Sequence, residues 1–494
     1  MGMLTEQPNW LMQRAQLTPE RIALIYEDQT VTFAELFAAS KRMAEQLAAH
    51  SVRKGDTAAI LLQNRAEMVY AVHACFLLGV KAVLLNTKLS THERLFQLED
   101  SGSGFLLTDS SFEKKEYEHI VQTIDVDELM KEAAEEIEIE AYMQMDATAT
   151  LMYTSGTTGK PKGVQQTFGN HYFSAVSSAL NLGITEQDRW LIALPLFHIS
   201  GLSALFKSVI YGMTVVLHQR FSVSDVLHSI NRHEVTMISA VQTMLASLLE
   251  ETNRCPESIR CILLGGGPAP LPLLEECREK GFPVFQSYGM TETCSQIVTL
   301  SPEFSMEKLG SAGKPLFSCE IKIERDGQVC EPYEHGEIMV KGPNVMKSYF
   351  NRESANEASF QNGWLKTGDL GYLDNEGFLY VLDRRSDLII SGGENIYPAE
   401  VESVLLSHPA VAEAGVSGAE DKKWGKVPHA YLVLHKPVSA GELTDYCKER
   451  LAKYKIPAKF FVLDRLPRNA SNKLLRNQLK DARKGELLHH HHHH

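Results

Sequence analysis

Short apolar runs alternate with segments of helical spacing along roughly the first 290 residues of this chain. The runs include TAAILL at 57–62, KAVLLN at 81–86, CILLGG at 261–266 and PVFQSYG at 283–289. A strand that is buried on both faces reads as a nearly continuous apolar run, and crossover helices between such strands give parallel sheets. The pattern therefore predicts layered α/β sheets with helices on both faces.

The pattern changes after about residue 315, where EIKIERDG, EHGEIMVKGP and GFLYVLDRR alternate apolar and polar residues. This alternation predicts antiparallel strands or a small barrel. The stretch LDRRSDLIISGGENIYP follows, and its paired charges and paired glycines suggest a hinge. With 494 residues, the chain is also too long for one core. We predict an α/β plus α+β protein. Its large N-terminal domain spans 1–383 and contains layered α/β sheets and a small β-barrel-like part. A hinge region at 384–398 leads to a small mobile C-terminal α+β domain at 399–486, and a tag region follows at 487–494.

Composition excludes several classes of partner. The net charge of −13 disfavours binding to nucleic acid and to anionic membranes. No apolar run approaches the length of a membrane span, and the opening MGMLTEQPNW lacks the features of a signal peptide. We therefore expect a cytoplasmic protein with no membrane insertion. The eight cysteines show no zinc-site spacing, which predicts reduced thiols and no zinc site.

The segment YTSGTTGKPKGV at 153–164 carries the strongest chemical signal. Its glycines permit close backbone approach, and its hydroxyls and lysines can surround a polyphosphate. The common NTPase loop needs a glycine where Thr154 stands and Ser or Thr where Pro161 stands, so this is a different phosphate loop. A flexible linker is the alternative, but a linker would not need two lysines around a proline.

At these residues the sequence resembles the adenylate-forming superfamily, which includes acyl-CoA synthetases, adenylation domains of peptide synthetases and firefly-type luciferases. Further motifs follow in the order of that family over nearly the whole native chain. The resemblance implies a carboxylic acid, ATP and coenzyme A as substrates and Mg²⁺ as the metal. It implies acyl-adenylate formation with loss of pyrophosphate, then thioester formation with loss of AMP. The ATP- and AMP-binding residues that it implies are Thr154, Ser155, Gly156, Thr157, Thr158, Gly159, Lys160, Gly266, Gly267, Pro268, Ser287, Tyr288, Gly289, Met290, Thr291, Asp369, Arg384 and Lys473.

Individual roles also follow from the resemblance. It implies that Tyr288 stacks on adenine, that Thr291 contacts the α-phosphate and that Glu292 holds Mg²⁺, a hard cation that prefers oxygen ligands. Asp369 would bind the ribose hydroxyls, and Arg384 the ribose or a phosphate. Taken alone, Tyr288 and Glu292 could equally be structural, and Asp369 and Arg384 could be surface charges.

The C-terminal region carries the remaining catalytic signals. Lys473 matches the family lysine that stabilises charge on the reacting groups, although Asn472 replaces the usual glycine before it. The family hinge position falls on Ser386, followed by Asp387, where Asp or Lys is usual. The resemblance also implies that Gly392 and Gly393 line the channel for the thiol of coenzyme A.

The segment LPLFHISGL at 194–202 resembles the acyl-pocket motif, with His198 as a gate beside the carboxylate and a catalytic candidate. A buried, hydrogen-bonded histidine is the alternative. Lys207 either reaches the surface or pairs with a second carboxylate of the substrate. The acyl-binding candidates are Phe197, His198, Ser200, Gly201 and Lys207.

The opening NWLMQRAQLTPERIAL, the segment SYGMTETCSQIVTL and the ending PRNASNKLLR resemble the o-succinylbenzoate–CoA ligase branch of menaquinone biosynthesis. That branch implies 2-succinylbenzoate as the acid. The alternative is an aryl- or medium-chain fatty-acyl-CoA ligase of the same mechanism. A phosphotransferase, a non-catalytic nucleotide-binding module and a peptide-synthetase adenylation domain are weaker alternatives, and assembly into a homo-oligomer stays open.

Overall fold

The computed structural model describes residues 5–155, 160–265, 269, 271–383, 387–467, 474–481 and 486–488. Contacts between residues divide the chain into two compact units. The larger unit holds 1–87, 98–152 and 163–382, and the smaller holds 88–97, 153–162 and 383–494. Two short internal segments, 88–97 and 153–162, thus belong to the smaller unit. A division of the chain at a single hinge would leave them in the N-terminal domain. The predicted domain and hinge limits stay predictions.

Helices and strands alternate through the larger unit and recur in the smaller one. The helices are α1 (Trp10–Leu17), α2 (Phe33–Ala49), α3 (Ala66–Leu78), α4 (Thr91–Asp100), α5 (Val126–Leu129), α6 (Phe168–Leu182), α7 (Ile199–Tyr211), α8 (Val223–His233), α9 (Gln242–Glu251), α10 (Leu271–Glu279), α11 (Glu353–Ser359), α12 (Pro398–Leu406) and α13 (Ala440–Lys448). The strands up to the antiparallel region are β1 (Glu6–Pro8), β2 (Ile22–Tyr26), β3 (Gln29–Thr32), β4 (Thr57–Ile60), β5 (Lys81–Leu84), β6 (Phe105–Thr108), β7 (Gln122–Asp125), β8 (Tyr142–Gln144), β9 (Thr148–Ser155), β10 (Pro161–Thr167), β11 (Arg189–Ile192), β12 (Thr214–Leu217), β13 (Met237–Ala240), β14 (Cys261–Leu264) and β15 (Val284–Met290).

The later strands end in the C-terminal sheet. They are β16 (Ser295–Leu300), β17 (Ser311–Pro315), β18 (Glu320–Arg325), β19 (Gln328–Val329), β20 (Gly336–Lys341), β21 (Ser348–Tyr349), β22 (Phe360–Gln361), β23 (Trp364–Leu373), β24 (Leu379–Asp383), β25 (Ile389–Ser391), β26 (Glu394–Ile396), β27 (Val411–Asp421), β28 (Gly425–Leu434), β29 (Lys459–Val462) and β30 (Glu486–Leu488).

Two mixed sheets build the larger unit. One has the strand order β21-β10-β9-β5-β4-β6-β7, and the other runs β19-β18-β20-β23-β24-β17-β16-β15-β14-β13-β11-β12-β2-β3. The central pairings of both are parallel, such as β4 with β5 and β14 with β15. The predicted layered parallel sheets are confirmed. From β16 to β23 the described pairings within this sheet are antiparallel, for example β18 with β20, which confirms the antiparallel strands predicted after residue 315; in the smaller unit, β28 and β29 pair in parallel.

Helices fill the space beside both faces of the long sheet. One buried cluster joins residues of β4 and β5 to residues of β11 and β14 through helices that include α3, α6 and α7. A second cluster lies on the opposite face of the long sheet, beneath α8, α9 and α10. Side chains of neighbouring positions on β14 alternate between the two clusters, because successive residues of a strand point to opposite faces. The antiparallel part has a core of its own, which includes Tyr288 and Tyr349.

A buried cluster of charges fixes one internal segment within the smaller unit. Lys455 is 3% exposed, and its ammonium lies 2.6 Å from a carboxylate oxygen of Glu93 and 2.6 Å from one of Glu400. Lys88 reaches Glu394 at 2.9 Å. Because an unpaired buried charge is costly, these pairings stabilise the packing of segment 88–97 within this unit. In the described part of the chain, every helix is too short or too polar to cross a bilayer.

Candidate active site

Strand β15 and the turn after it carry the residues from Ser287 to Glu292 that the sequence predicted at the nucleotide. A side chain on Gly289 would place its Cβ 2.0 Å from the carbonyl oxygen of Ser295, so only glycine fits there. The register with β16 shifts between Tyr288 and Gly289. The hydroxyl of Thr293 donates to the carbonyl of Ser295 at 2.7 Å and so closes the turn. The backbone therefore turns sharply just where strand β15 ends.

Tyr288 and Asp369 meet although 81 positions separate them. The phenol of Tyr288 donates to Oδ2 of Asp369 at 2.5 Å, and both side chains are buried. The hydroxyl of Thr367 accepts from the backbone N–H of Asp369 at 3.0 Å and holds that carboxylate in place. The structure thus brings together an aromatic ring and an acceptor-only carboxylate, the pair that suits a base and its ribose.

Glu292 is 2% exposed and lies at the start of the turn after β15. The side-chain Oε2 of Glu292 accepts a hydrogen bond of 2.7 Å from the phenol of Tyr349. The backbone carbonyl of Glu292 accepts another of 2.7 Å from the backbone N–H of Met346. Nε2 of Gln166 donates to the carbonyl of Thr291 at 3.0 Å. The carboxylate of Glu292 and the backbone of Thr291 are thus held by residues of two paired strands, β21 and β10.

The donor set around Glu292 fits Mg²⁺ better than zinc. Mg²⁺ is commonly held by one or two carboxylates together with substrate phosphates. Within the described residues, no group of three or more His, Cys, Asp or Glu side chains could hold a metal ion. A single buried carboxylate therefore suits an ion that shares its ligands with a nucleotide.

Gln166 and Tyr349 are site residues that the sequence did not predict. They lie 125 and 57 positions from the residues they contact, and no spacing in the sequence relates them. Gln166 is itself held by the hydroxyl of Thr150 at 2.7 Å, which also lies 2.8 Å from Nε2 of His171. Burial lowers the pKa of His171 to about 3, so this histidine stays neutral and serves the hydrogen-bond chain.

The start of the phosphate loop lies at the end of β9, in the smaller unit. The hydroxyl oxygen of Thr154 is buried, and it has no hydrogen-bond partner among the described residues. Such an orphaned donor fits a phosphate oxygen as its partner. Lys160 is exposed. Several predicted residues lie outside the described ranges: Gly156, Thr157, Thr158, Gly159, Gly266, Gly267, Pro268, Arg384, Ser386 and Lys473; the side chain of Ser155 does so too.

The predicted acyl pocket surrounds the N-terminus of α7. His198 occupies the N-cap position, and its ring lies 4.7 Å from the buried ring of Phe197. A Cβ on Gly201 would lie 2.3 Å from the carbonyl oxygen of Pro195, so glycine allows the first turn to approach this loop. Ser200 is the second residue of the helix. The first backbone N–H groups of a helix have no acceptor within that helix, so the N-terminus of α7 favours a carboxylate nearby.

Lys207 does not reach the surface. It is 2% exposed and lies in α7, with its ammonium 4.6 Å from the centre of the Trp190 ring. The surface interpretation is therefore wrong: this lysine lies on the helix face that packs against β11, where its ammonium contacts the ring of Trp190. Burial lowers the pKa of Lys207 to about 8, which leaves most of the amine protonated at neutral pH.

Gly392 and Gly393 form the turn between β25 and β26 in the smaller unit. Their φ angles are 53° and 81°, the left-handed conformation of a two-residue hairpin turn. A Cβ on Gly392 would lie 2.7 Å from the half-exposed ring of Trp424. Asp387, a hinge candidate, accepts a hydrogen bond of 2.8 Å from Arg476. The channel and hinge roles of these residues stay predictions.

Comparison with known proteins gives a consistent result over almost the full chain. The family model described as AMP-binding enzyme matches residues 11–350, and the model of the AMP-binding enzyme C-terminal domain matches residues 400–473. A 2-succinylbenzoate–CoA ligase from Bacillus velezensis is 77% identical over 486 residues, which cover 98% of this chain and all of the relative.

Two solved structures from Bacillus subtilis are also similar. One is a double mutant of o-succinylbenzoate CoA synthetase bound with its product analogue; it is 98% identical, has a TM-score of 0.96 and covers 98% of this chain and 100% of its own. The other is that synthetase in complex with ATP and a magnesium ion, 96% identical with a TM-score of 0.73, covering 77% of this chain and 100% of its own.

Proposed function

This chain belongs to the AMP-binding enzyme family, and we propose on that basis that it is an ATP-dependent, AMP-forming CoA ligase whose acid is 2-succinylbenzoate. The observation that carries the proposal is the pairing of Tyr288 with Asp369 at one end of β15, with the buried Glu292 a few residues further on. This arrangement offers contacts for a base, a ribose and a metal-bound phosphate at one end of strand β15. The full-length similarity to enzymes named for this reaction supports the same conclusion.

The reaction that we propose has two steps. An oxygen of the carboxylate attacks the α-phosphorus of ATP, the bond to the bridging oxygen breaks and pyrophosphate leaves. The sulfur of coenzyme A, as thiolate, then attacks the acyl carbon, and AMP leaves with the bonding electrons. A mixed anhydride makes the second step possible because AMP is a far better leaving group than the hydroxide that a free acid would lose.

The residues divide the work of binding and charge stabilisation. Asp369 accepts hydrogen bonds from ribose hydroxyls, and Thr154 donates its hydroxyl to a phosphate oxygen. Glu292 would hold Mg²⁺, which supplies charge neutralisation to the phosphates when it is bound. We propose that Lys473 stabilises the developing charge of the first step. We further propose that the C-terminal domain rotates at Ser386 and its neighbours before the thiol attacks.

The choice of acid rests on similarity and on one feature of the pocket. The relative from Bacillus velezensis is named for 2-succinylbenzoate, which carries two carboxylates. The buried ammonium of Lys207 in α7 would lie beside the methylene chain of a fatty acid, an unfavourable surrounding for a charge. A dicarboxylate is therefore the better candidate than a medium-chain fatty acid.

A product assay tests the proposal. The protein is incubated with ATP, Mg²⁺, coenzyme A and each of 2-succinylbenzoate, benzoate and octanoate, and AMP, ADP, pyrophosphate and acyl-CoA are measured. We expect AMP, pyrophosphate and acyl-CoA in equal amounts, with 2-succinylbenzoate turned over fastest. The Asp369→Asn variant is the control, because it keeps the side-chain volume and removes the charged acceptor.

Other outcomes would contradict different parts of the proposal. Formation of ADP would refute the adenylate mechanism. A preference for octanoate would refute the acid and leave the ligase reaction standing. We also propose that the enzyme acts in the cytoplasm, where ATP and coenzyme A are supplied, and that it can assemble as a homo-oligomer; size-exclusion chromatography with light scattering tests the second point.

A further inference from the structure

The loop before helix α7 is held by a buried amide that lies 130 positions away in the chain. Nδ2 of Asn64 donates to the carbonyl of Leu194 at 2.8 Å, and Oδ1 of Asn64 accepts from the backbone N–H of Leu196 at 2.9 Å. Nδ2 also donates to the carbonyl of His218 at 3.1 Å. Asn64 is 3% exposed, so its amide depends on these protein groups rather than on water.

Asn64 joins the ends of strands that belong to two different sheets. It follows β4 of the seven-stranded sheet by four positions, whereas Leu194 and His218 follow β11 and β12 of the long sheet. All three strands have parallel partners, and ligands of open α/β sheets bind beyond the carboxyl ends of such strands. The amide therefore fixes the 194–196 loop at the edge of the sheets where a substrate is expected.

The 194–196 loop passes this constraint on to His198. The carbonyl of Pro195, which lies between the two residues that Asn64 holds, accepts from the backbone N–H of His198 at 3.1 Å. The carbonyl of His198 in turn accepts from the N–H groups of Gly201 and Leu202, at 3.0 and 2.9 Å, and helix α7 begins there. Because a Cβ on Gly201 would lie 2.3 Å from the carbonyl oxygen of Pro195, the first turn of the helix rests directly on this loop. Backbone contacts thus run from the amide to the predicted acyl pocket.

The three contacts of Asn64 call for an amide. Two of the contacting groups are carbonyls, which can only accept, and the third is an N–H, which can only donate. An aspartate would set a charged oxygen against two carbonyl oxygens. A leucine, which has a similar volume, would leave three buried backbone groups without their partner.

We propose that Asn64 is a positioning residue for the acid, because its amide holds the 194–196 loop and thereby the backbone of His198 at the predicted acyl pocket. The proposal rests on the proposed ligase function, since it concerns how the acid of that reaction is placed. A reacting group that is misplaced by about 1 Å can lose about 100-fold in rate, so the position of this loop matters although Asn64 touches no substrate. The nucleotide contacts at the end of β15 do not depend on this amide.

The first test compares two Michaelis constants in the Asn64→Leu variant. The KM for 2-succinylbenzoate is measured at saturating ATP and coenzyme A, and the KM for ATP at saturating acid. We expect the KM for the acid to rise about tenfold or more and the KM for ATP to stay within about twofold. Asn9→Leu is the matched control, because Asn9 is also buried and its side chain accepts from the N–H of Met12 at 3.1 Å, at the start of α1. That control should lower stability and leave both constants unchanged.

The second test uses Asn64→Asp, which keeps the shape of the side chain and can be rescued by a proton. Burial beside two carbonyl oxygens disfavours the charged form of the introduced carboxyl group and so raises its pKa. In its neutral form this group keeps an acceptor for the N–H of Leu196 and gains one O–H donor. The KM for the acid, divided by that of the unaltered enzyme at the same pH, should therefore be about threefold or more larger at about pH 8.5 than at about pH 6.

The outcomes separate this proposal from the function on which it rests. A folded Asn64→Leu variant with an unchanged KM for the acid would overturn the proposal, as would an equal rise of both constants, and the ligase reaction would stand in either case. If the leucine variant does not fold, the aspartate variant decides, and a KM ratio that does not change with pH would overturn the proposal. If the unaltered enzyme made no acyl-CoA from any acid, the proposed function itself would fail.

Discussion

Replacing Lys207 by Met should make the ligand-free protein more stable at neutral pH. The pKa of a free lysine is 10.5, and burial lowers that of Lys207 to about 8. At about 1.4 kcal/mol for each tenfold change in proton affinity, this lowering corresponds to about 3 kcal/mol. The charged amine therefore destabilises the folded state by about this amount at pH 7, and Met removes the charge without opening a large cavity.

The sign of the pH dependence follows from the direction of the pKa. Because the folded-state pKa of Lys207 lies below that of the unfolded chain, the unfolded state binds more protons between about pH 8 and 10.5. The stability of the unaltered protein should consequently rise relative to that of the variant across this window. Below about pH 8 the advantage of the variant should be constant, and by about pH 10.5 it should have largely disappeared.

Urea unfolding of both proteins, followed by fluorescence at pH 7, 9 and 10.5, measures this difference. Comparing the two proteins at each pH cancels the titration of other lysines, tyrosines and cysteines. A variant that is less stable at pH 7 would refute the reasoning, as would an advantage that does not change with pH. The first result would mean that the protein itself compensates the charge of Lys207, and the second that the advantage of the variant does not come from that charge.

Four further outcomes test other parts of the site. Glu292→Gln should lower ATP–pyrophosphate exchange by about 10²-fold or more, whereas Tyr349→Phe should lower it about tenfold because one hydrogen bond to a charged group is lost. Asp369→Asn should raise the KM for ATP by about tenfold or more, measured at saturating acid, and an unchanged KM would exclude contact with the nucleotide. Lys473→Ala should abolish adenylate formation but spare thioester formation from supplied acyl-adenylate, and equal loss in both half-reactions would contradict its role. Lys455→Met should destabilise the protein by about 3–5 kcal/mol in urea, because two buried carboxylates lose their cation.

Local patterns predicted the elements of this fold well. Thr32 and Glu35 form the Thr-x-x-Glu pattern that predicts a helix start, and the structure has this capping box with both hydrogen bonds. The apolar runs at 57–62 and 261–266 contain the buried parallel strands β4 and β14. Such features depend on residues a few positions apart, which is why a single sequence reveals them.

Contacts between distant parts of the chain were beyond this kind of reasoning. The sequence placed Tyr288 and Asp369 in one site only by resemblance, and their hydrogen bond depends on the pairing of whole strands. Tyr349 reaches Glu292 for the same reason, and nothing in its neighbourhood marks it. The surface interpretation of Lys207 was wrong because it rested on the general preference of lysines for the surface, which does not reveal how helix α7 packs against β11.

The ion cluster around Lys455 bears on how pieces of this protein could be made. If the chain from 383 onward were produced alone, Lys455 would keep Glu400 as its partner, and the two charges would cancel. Segment 88–97 would keep Glu93 without a cation. Segment 88–97 would also take Lys88 with it, so the C-terminal piece would keep buried Glu394 with this salt bridge broken, whereas Glu93 would pass into water, where a carboxylate is readily accommodated.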